Sequence, residues 1–484
     1  MAEFYGIDLG TTYSCIARID SDSIPQIVSI RGNQYTPSAI AFDDNNKMIV
    51  GQAAKNNITN NRKNTVILIK REMSNKDYTR TINGKTYTPV DISSFILKDL
   101  VDEANKQLAA EEDGFQPIYD VVITVPAYFG TLEKERTLAA GKKAGLNVLQ
   151  LINEPTAAAL AYGRKQRADK TLLVYDLGGG TFDVSILRFE NWIINTLSTD
   201  GDHHLGGADW DRAIVDFALK KINANYDSLS PEEQGMVMLA AEKAKITLTD
   251  ADSTTISFVY NGIKNVDITR NEFESITRVL LDNTMELVDA ALERANKTAS
   301  DIDEIILVGG SSYMPMVKQA VDKKFGKQSK LTQPNLAVAL GAALTAINNH
   351  GDGQTKGPVI GSDKGSRAYG TDCKDVNGND IIRTLINRND DLEIEREVYF
   401  STLTDGQTTV GFRFFEYESD EELLEMNEDW ELKGKQSYIK WDNPAPKGTP
   451  IRTVTKRDRN GIVKVFAECN GSKGEFIIVN PGVN

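Results

Sequence analysis

The chain has 484 residues, 40% of them hydrophobic, with 55 Lys and Arg against 69 Asp and Glu for a net charge of −14. This suits several soluble domains with ample cores, and an acidic chain without a basic patch repels phosphate backbones, so nucleic acid is not expected as a partner. Three scattered cysteines make no disulfide framework, three histidines are too few for a zinc site, and neither a signal-peptide pattern nor a bilayer-length apolar run occurs, so no membrane association and a cytoplasmic location are expected.

In chain order, YGIDLGTTYSCIARI from Tyr5 reads as strand, Asp-Leu-Gly turn and strand. VVITV (Val121 to Val125) reads as a buried strand followed by the helical TLEKERTLAAGKKAG. KTLLVY (Lys170 to Tyr175) and VSILRF (Val184 to Phe189) are strands flanking DLGGGTFD, Asp176 to Asp183, which makes a tight hairpin with a tip of small and acidic residues. EIILVGG (Glu304 to Gly310) is a strand, and MPMVKQAVDKKF after it is apolar at helical spacing. This alternation argues for an α/β region as far as Asn349. NHGDGQTKGPVIGSDKGS then reads as a linker. From Tyr369, the β-rich runs REVYFSTL, TTVGFRFFEY and IVKVFAEC, split by DGQ, NPAPKGTP and DRNG, argue for an all-β sandwich of about 110 residues. Within it, FFEYESDEELLEMNEDWELKG carries nine carboxylates between Glu416 and Glu431 and no base before its final lysine, and reads as a solvated helical or loop face.

The hairpins at Tyr5 and at Val174 repeat one pattern, strand, Asp-Leu-Gly, strand, and each heads one half of the α/β region. That predicts a duplicated fold with a cleft between the halves. Backbone N–H groups at a glycine-rich turn surround an anion, and missing β-carbons let a phosphate approach. Thr11, Thr12 and Thr181 add hydroxyl donors. Asp8 and Asp176 make sense beside phosphate if Mg²⁺, held through its waters, lies between. Either hairpin alone reads equally as a capped turn; the pair favours a phosphate and metal site, though no P-loop occurs. In LVGGSSYMPMV, Gly309 and Gly310 at a strand-to-helix turn allow a flat ring or sugar to come close, a pattern many α/β turns share.

GIDLGTTYSC, VPAYF, INEPTAAALAYG, DLGGGTFDVSIL, HLGGADWD, AEKAKITL, VGGSS and VALGAALTA, in this order, resemble the ATPase domain of the seventy-kilodalton heat-shock chaperone family, whose wider relatives are actin and the sugar kinases. The likeness covers residues 2 to 349. LINRNDDLEIEREVYFSTLTDGQTTVGFRFFEYES, NPAPKGTP and RDRNGIVKVFAE resemble, at greater divergence, the family's β-sandwich peptide-binding domain. The resemblance implies a duplicated actin-like (ribonuclease H-like) ATPase domain over residues 1–352, a linker over 353–368 and a β-sandwich peptide-binding-like domain over 369–484.

It also implies roles. Asp8, Gly10, Thr11, Thr12 and Tyr13 fall on the first phosphate loop; Asp176, Gly178, Gly179, Gly180 and Thr181 fall on the second. Asp8 and Asp176 would hold Mg²⁺ through water. Lys70 falls on the family's catalytic lysine, which orients the attacking water and offsets charge on the γ-phosphate; by composition alone it would be a solvated charge. Glu154 and Asp183 fall on carboxylates around metal and water. Gly206, Gly207, Glu242, Lys245, Gly309, Gly310, Ser311 and Tyr313 fall on nucleotide-binding positions. Phe400, Leu403, Val410 and Phe412 fall on the peptide groove, although alternating apolar residues suit a sandwich core equally.

The expected activity is that of an ATP-hydrolysing, stress-response protein-folding chaperone using ATP/ADP and Mg²⁺. Its expected partners are unfolded or extended polypeptide, a J-domain co-chaperone and a nucleotide exchange factor. Tyr313 stands where the family has an arginine on adenine, Lys134 where it has an arginine relaying nucleotide state, Ala208 where it has a glutamate, and His203 replaces a threonine in a loop. The family's leucine-rich linker is reduced here to Val359 and Ile360. Coupling is therefore expected to be weak, ATP changing peptide affinity less than about tenfold. The sequence given reaches GEFIIVNPGVN without the family's helical lid, so fast peptide exchange is expected. Two other readings compete: a small-molecule kinase on the shared fold, and a nucleotide-gated adaptor for one dedicated protein partner.

Overall fold

Buried β-branched runs broken by glycine turns generate two sheets of the same plan. The computed structural model describes residues 4–20, 22–43, 45–164, 168–331, 333–351, 357–432 and 437–477. Its contacts divide into two compact units, Met1–Pro126 with Ala140–Gly361, and Ala127–Ala139 with Ser362–Asn484.

In the first unit, one sheet runs in the order Asn147–Asn153, Asp120–Val125, Tyr5–Leu9, Tyr13–Ile19, Pro25–Ile27. The other runs Lys330–Leu331, Glu304–Val308, Lys170–Leu177, Phe182–Glu190, Ile193–Asp202 and then Val359–Ser362. In both, the first three strands are parallel and the fourth returns antiparallel through the glycine hairpin. The internal repeat is thus a repeat of topology, and the α/β duplicated architecture is as expected.

A helix follows the first strand in each order: Glu154–Gly163 and Ala337–His350. Both are rich in alanine, and their small side chains bring backbones together. A β-carbon on Gly341 would lie 1.8 Å from the Ala157 carbonyl oxygen, and one on Gly6 2.1 Å from the Ala343 nitrogen. The second helix is therefore clamped against the first helix on one side and the strand of Asp8 on the other. Ala157 to Leu160, Ala342 and Leu344 pack with Val122 and Ile152 of one sheet and Val174 and Ile306 of the other in a single core.

The segment expected to be a linker is partly regular. Residues 353–356 lie outside the described residues, while Val359–Ser362 forms a strand beside Ile193–Asp202. Val359 N–H donates to the Trp192 carbonyl at 2.9 Å, Asn348 Nδ2 donates to the Pro358 carbonyl at 2.8 Å, and Ile360 packs on the core. An open sheet edge offers backbone partners whatever the side chains are.

The second unit is β-rich. Sheets of order Phe414–Tyr417, Ala368–Lys374, Asp380–Ile386, Leu423–Glu425 and of order Ile394–Ser401, Pro450–Arg457, Val463–Cys469, Ser472–Ile477, with the pair Gln407–Phe412 and Ser437–Ala445, enclose a core around Tyr369, Ile386, Phe414, Trp441 and Val465. The acidic stretch supplies the strands Phe414–Tyr417 and Leu423–Glu425 and the 3₁₀ turn Glu428–Trp430, and Glu418, Asp420, Glu421, Glu422, Glu425, Glu428 and Asp429 are exposed, as a solvated face requires. Glu416 is held inside, accepting from Thr131 N–H at 2.9 Å and from the Tyr369 hydroxyl at 2.6 Å. Lys134 is buried in the same unit, its amine pushed down to about 8 by burial and by Arg457, against the pull of Asp363, Glu416 and Glu133.

Gly341→Ala should destabilise the first unit by about 1–3 kcal/mol, since backbone must move to admit the methyl group. Thermal unfolding should show a lowered melting temperature, whereas Gly378→Ala, a surface turn position with nothing within 4 Å of its added carbon, should cost only its φ strain.

Candidate active site

The glycine turns put two loops against each other. A β-carbon on Gly179 would lie 1.8 Å from Thr12 Oγ1, and one on Gly180 2.4 Å from Thr11 Cγ2. These glycines are required first by this mutual approach, before any ligand is considered. The second loop is also tied to the helix Gly207–Lys221: Gly207 N–H donates to the Gly178 carbonyl at 3.0 Å and Ala208 N–H to that of Gly179 at 2.9 Å. Gly206 rests on the Gly180 backbone, where a side chain would be 2.6 Å away. Gly309 has φ +80°, a left-handed conformation natural to glycine, and its missing side chain makes room for Asp176 Oδ1, 2.6 Å from where a β-carbon would stand. Ser311 Oγ donates to the Gly178 carbonyl at 2.9 Å.

Above these loops lies a cavity of about 730 Å³ within the first unit. Asp8, Gly10, Thr11, Thr12, Tyr13, Lys70, Glu154, Asp176, Gly178, Gly179, Thr181, Gly207, Glu242, Lys245, Gly309, Gly310, Ser311 and Tyr313 all line it. Gly180, Gly206 and Asp183 stand behind the lining residues: Asp183 is buried and faces Asp176 across the ladder. The structure thus brings the expected nucleotide positions into one concavity. Tyr313 presents a ring that is 43% exposed at its edge. Lys245 Nζ donates to the Gly207 carbonyl and pairs with Asp211, both at 2.8 Å; burial lifts the Asp211 carboxyl to about 6 against that pairing.

At the base, Lys70 and Glu154 form a buried ion pair. Lys70 rides the 3₁₀ turn Ile69–Met73, entered through Leu68 at φ 59°. That conformation is an outlier for a bulky side chain and costs about 1–3 kcal/mol. Glu154 starts its helix with Pro155 behind it, where the helix dipole favours a carboxylate. Burial and Glu154 push the Asp8 carboxyl up to about 7, opposed by Lys70 and by the Thr124 hydroxyl, which donates to Asp8 at 3.0 Å. Burial, then Glu154, Asp183 and Asp8, pushes Asp176 well above the usual carboxylate range, with Lys70 opposing.

Four carboxyl groups around one ammonium are a donor set that fits a dication, which would favour the ionised forms that burial disfavours in Asp8 and Asp176. Among the described residues no three His, Cys, Asp or Glu side chains form a direct metal cage.

Several site residues carried no signal in the sequence. Arg71 donates from Nε to the Gly180 carbonyl at 2.9 Å and pairs with Asp209, whose carboxylate also accepts Gly206 N–H at 2.8 Å. Lys55 pairs with Glu242 at 2.7 Å and donates to the Tyr13 hydroxyl at 3.2 Å. Their partners are distant in sequence, so no local pattern marks them. In the second unit, Phe412 is a core residue stacked with Phe414, Phe400 and Val410 are half-buried against that core, and Leu403 is exposed.

The sequence profile described as "Hsp70 protein" matches residues 4–480. The "Chaperone protein DnaK" of Thermosipho melanesiensis is 39% identical over 493 aligned positions, covering 99% of this chain and 80% of the relative. Those of Thermotoga petrophila and Thermotoga maritima are 38% identical over 496 positions with the same coverage.

The raised Asp8 carboxyl has a consequence for stability. A carboxyl titrating near 7 when folded and at 3.8 when not destabilises the nucleotide-free protein wherever it is ionised. Asp8→Asn should therefore raise the melting temperature of nucleotide-free, metal-free protein above pH 7. The gain should shrink as pH falls from about 7 and vanish below the unfolded value of 3.8, where the carboxyl is protonated in both states. Thermal unfolding at a series of pH values checks it.

Proposed function

The chain belongs to the Hsp70 family, and from that premise we propose how its residues divide the work. It is an ATP-dependent chaperone that hydrolyses ATP, with Mg²⁺ as cofactor. The observation that carries the residue assignment is the buried Lys70–Glu154 pair at the foot of a cavity walled by two glycine hairpins.

Backbone N–H groups of the two loops, with the Thr11, Thr12 and Thr181 hydroxyls, bind and orient the phosphates. Asp8 and Asp176 would hold Mg²⁺ through its waters, and the ion when bound would neutralise phosphate charge. Lys70 places its ammonium where negative charge grows in the transition state. Glu154 fixes that ammonium by ion pairing and holds the attacking water as acceptor. Burial keeps bulk water out and strengthens each of these interactions. Glu242 and Lys245 border the nucleoside end, with Tyr313 as a stacking surface at the rim.

The second unit binds extended apolar polypeptide, with unfolded proteins as clients and a J-domain co-chaperone and nucleotide exchange factor as partners. A cytoplasmic location suits this reading. No helix among the described residues is long and apolar enough to cross a membrane. Communication between nucleotide and peptide runs through Val359–Ser362. Besides the Val359 and Ile360 side chains, the strand's ladder bonds hold it to the sheet, each worth about 0.5–1.5 kcal/mol.

Lys70→Ala should lower kcat by about a hundredfold or more while ATP affinity stays within a few-fold, because the lysine acts on transition-state charge. Single-turnover hydrolysis and equilibrium ATP binding measure the two; lost affinity with intact hydrolysis would reverse the assignment. In that hydrolysis-dead background, peptide Kd by fluorescence anisotropy in ATP and in ADP reads the coupling. Val359→Pro, which deletes the N–H bonded to Trp192, should bring the two Kd values together, and an unchanged ratio would take coupling away from this strand. Binding of one stoichiometric partner in place of many unfolded chains would favour the dedicated adaptor.

A further inference from the structure

Lys55 stands on Gln52–Asn56 in the first half of the unit and Glu242 on Pro231–Asp250 in the second, so their ion pair ties the two halves at the cavity. Both side chains are more than four-fifths buried, at 12% and 18% exposure. The Lys55 ammonium does not rest on Glu242 alone. It donates to the Tyr13 hydroxyl at 3.2 Å and lies 4.9 Å from the centre of the Tyr13 ring. Tyr13 is in turn met edge-on by Tyr35, with ring centres 5.0 Å apart and planes at 74°. Tyr35 also lines the cavity and is itself 39% exposed, so its ring is not there to fill a core.

We propose that Tyr35 is a positioning residue that sets how fast nucleotide leaves the cavity, acting through Tyr13 on the Lys55–Glu242 pair. The inference rests on the nucleotide reading above and adds to it a residue that neither loop motif contains. The chemistry is a relay of orientation. Tyr35 restricts the Tyr13 ring. The Tyr13 oxygen accepts from Lys55, which leaves its own O–H free to donate into the cavity. Lys55, held from behind by the ring face, keeps its proton donors on Glu242. Loss of the Tyr35 ring frees Tyr13 to turn, and the ammonium loses one of its two oxygen partners, so the tie between the halves opens more often.

The test is release of tritiated ADP from the full chain, chased with excess unlabelled ATP and read by filter retention. Tyr35→Ala should release about three- to tenfold faster, the factor an edge-to-face aromatic pair is worth. Tyr35→Phe should release at the native rate, since the ring and not its hydroxyl does the bracing. Tyr35→Leu, which keeps apolar bulk without a ring, should behave as Tyr35→Ala and guards against a folding defect in the smaller variant. Lys55→Met should release faster by itself, and adding Tyr35→Ala to it should bring no further acceleration. Native-rate release from both Tyr35→Ala and Tyr35→Leu overturns the proposal. So does an equal acceleration by Tyr35→Ala with and without Lys55, because the ring would then act by another route. Failure of the native chain to retain ADP at all would instead overturn the nucleotide reading on which this rests.

Discussion

Burying four carboxylates around one lysine is the constraint on which the first unit depends. Glu154, Asp176 and Asp183 sit at or below 8% exposure and Asp8 is partly buried beside them, with Lys70 as their close cation. Such a group repels itself strongly where water is excluded, and an isolated peptide could not hold it. The fold holds it by mounting each member on a different rigid element: Asp8 on one hairpin, Asp176 and Asp183 on the other, Glu154 at a helix start, Lys70 on a strained turn. That repulsion, with burial, holds the Asp8 and Asp176 carboxyls above the usual carboxylate range.

Rigidity of this kind is supplied by small residues. Gly6 and Gly341 let the helix Ala337–His350 touch the strand of Asp8 and the helix of Glu154 directly. Gly179 and Gly180 let the two loops meet over Thr12 and Thr11. Backbone against backbone leaves no side-chain rotamer to adjust, so the distances between carboxylates are set by main chain. Large side chains are kept for the core behind the second sheet, where Tyr175, Phe182 and Trp210 pack without approaching the phosphate loops' open face.

The hairpins, their repetition and the α/β order were legible in the sequence because each depends on neighbours a few positions apart: a run of apolar residues, a glycine turn, a second run. The β-rich second unit was legible for the same reason. Composition misled where partners are distant. Glycine and serine around Val359 suggested a free linker, but a sheet edge pairs with any backbone that reaches it. The acidic run is a solvated face for most of its carboxylates, as read, but it is built on strands whose Phe414 and Phe415 are buried, and Glu416 accepts from a tyrosine hydroxyl and a backbone N–H. Lys70 could be assigned only by resemblance, since nothing near it in sequence distinguishes it from a surface lysine.

Arg71 shows why position at this site is a property of several elements at once. The chain has Ala208 where its family has a glutamate, and the guanidinium pairs one residue further on, with Asp209. That carboxylate already caps the helix Gly207–Lys221 by accepting Gly206 N–H, and the same guanidinium donates to the Gly180 carbonyl. One arginine therefore joins the turn that carries Lys70, the second phosphate loop and the start of the helix behind it. A carboxylate shared between cap and ion pair cannot move for one partner without moving for the other. The Lys70 turn is thus held twice, by the Glu154 pair from below and by Arg71 from the side, where it meets the Gly180 carbonyl and Asp209.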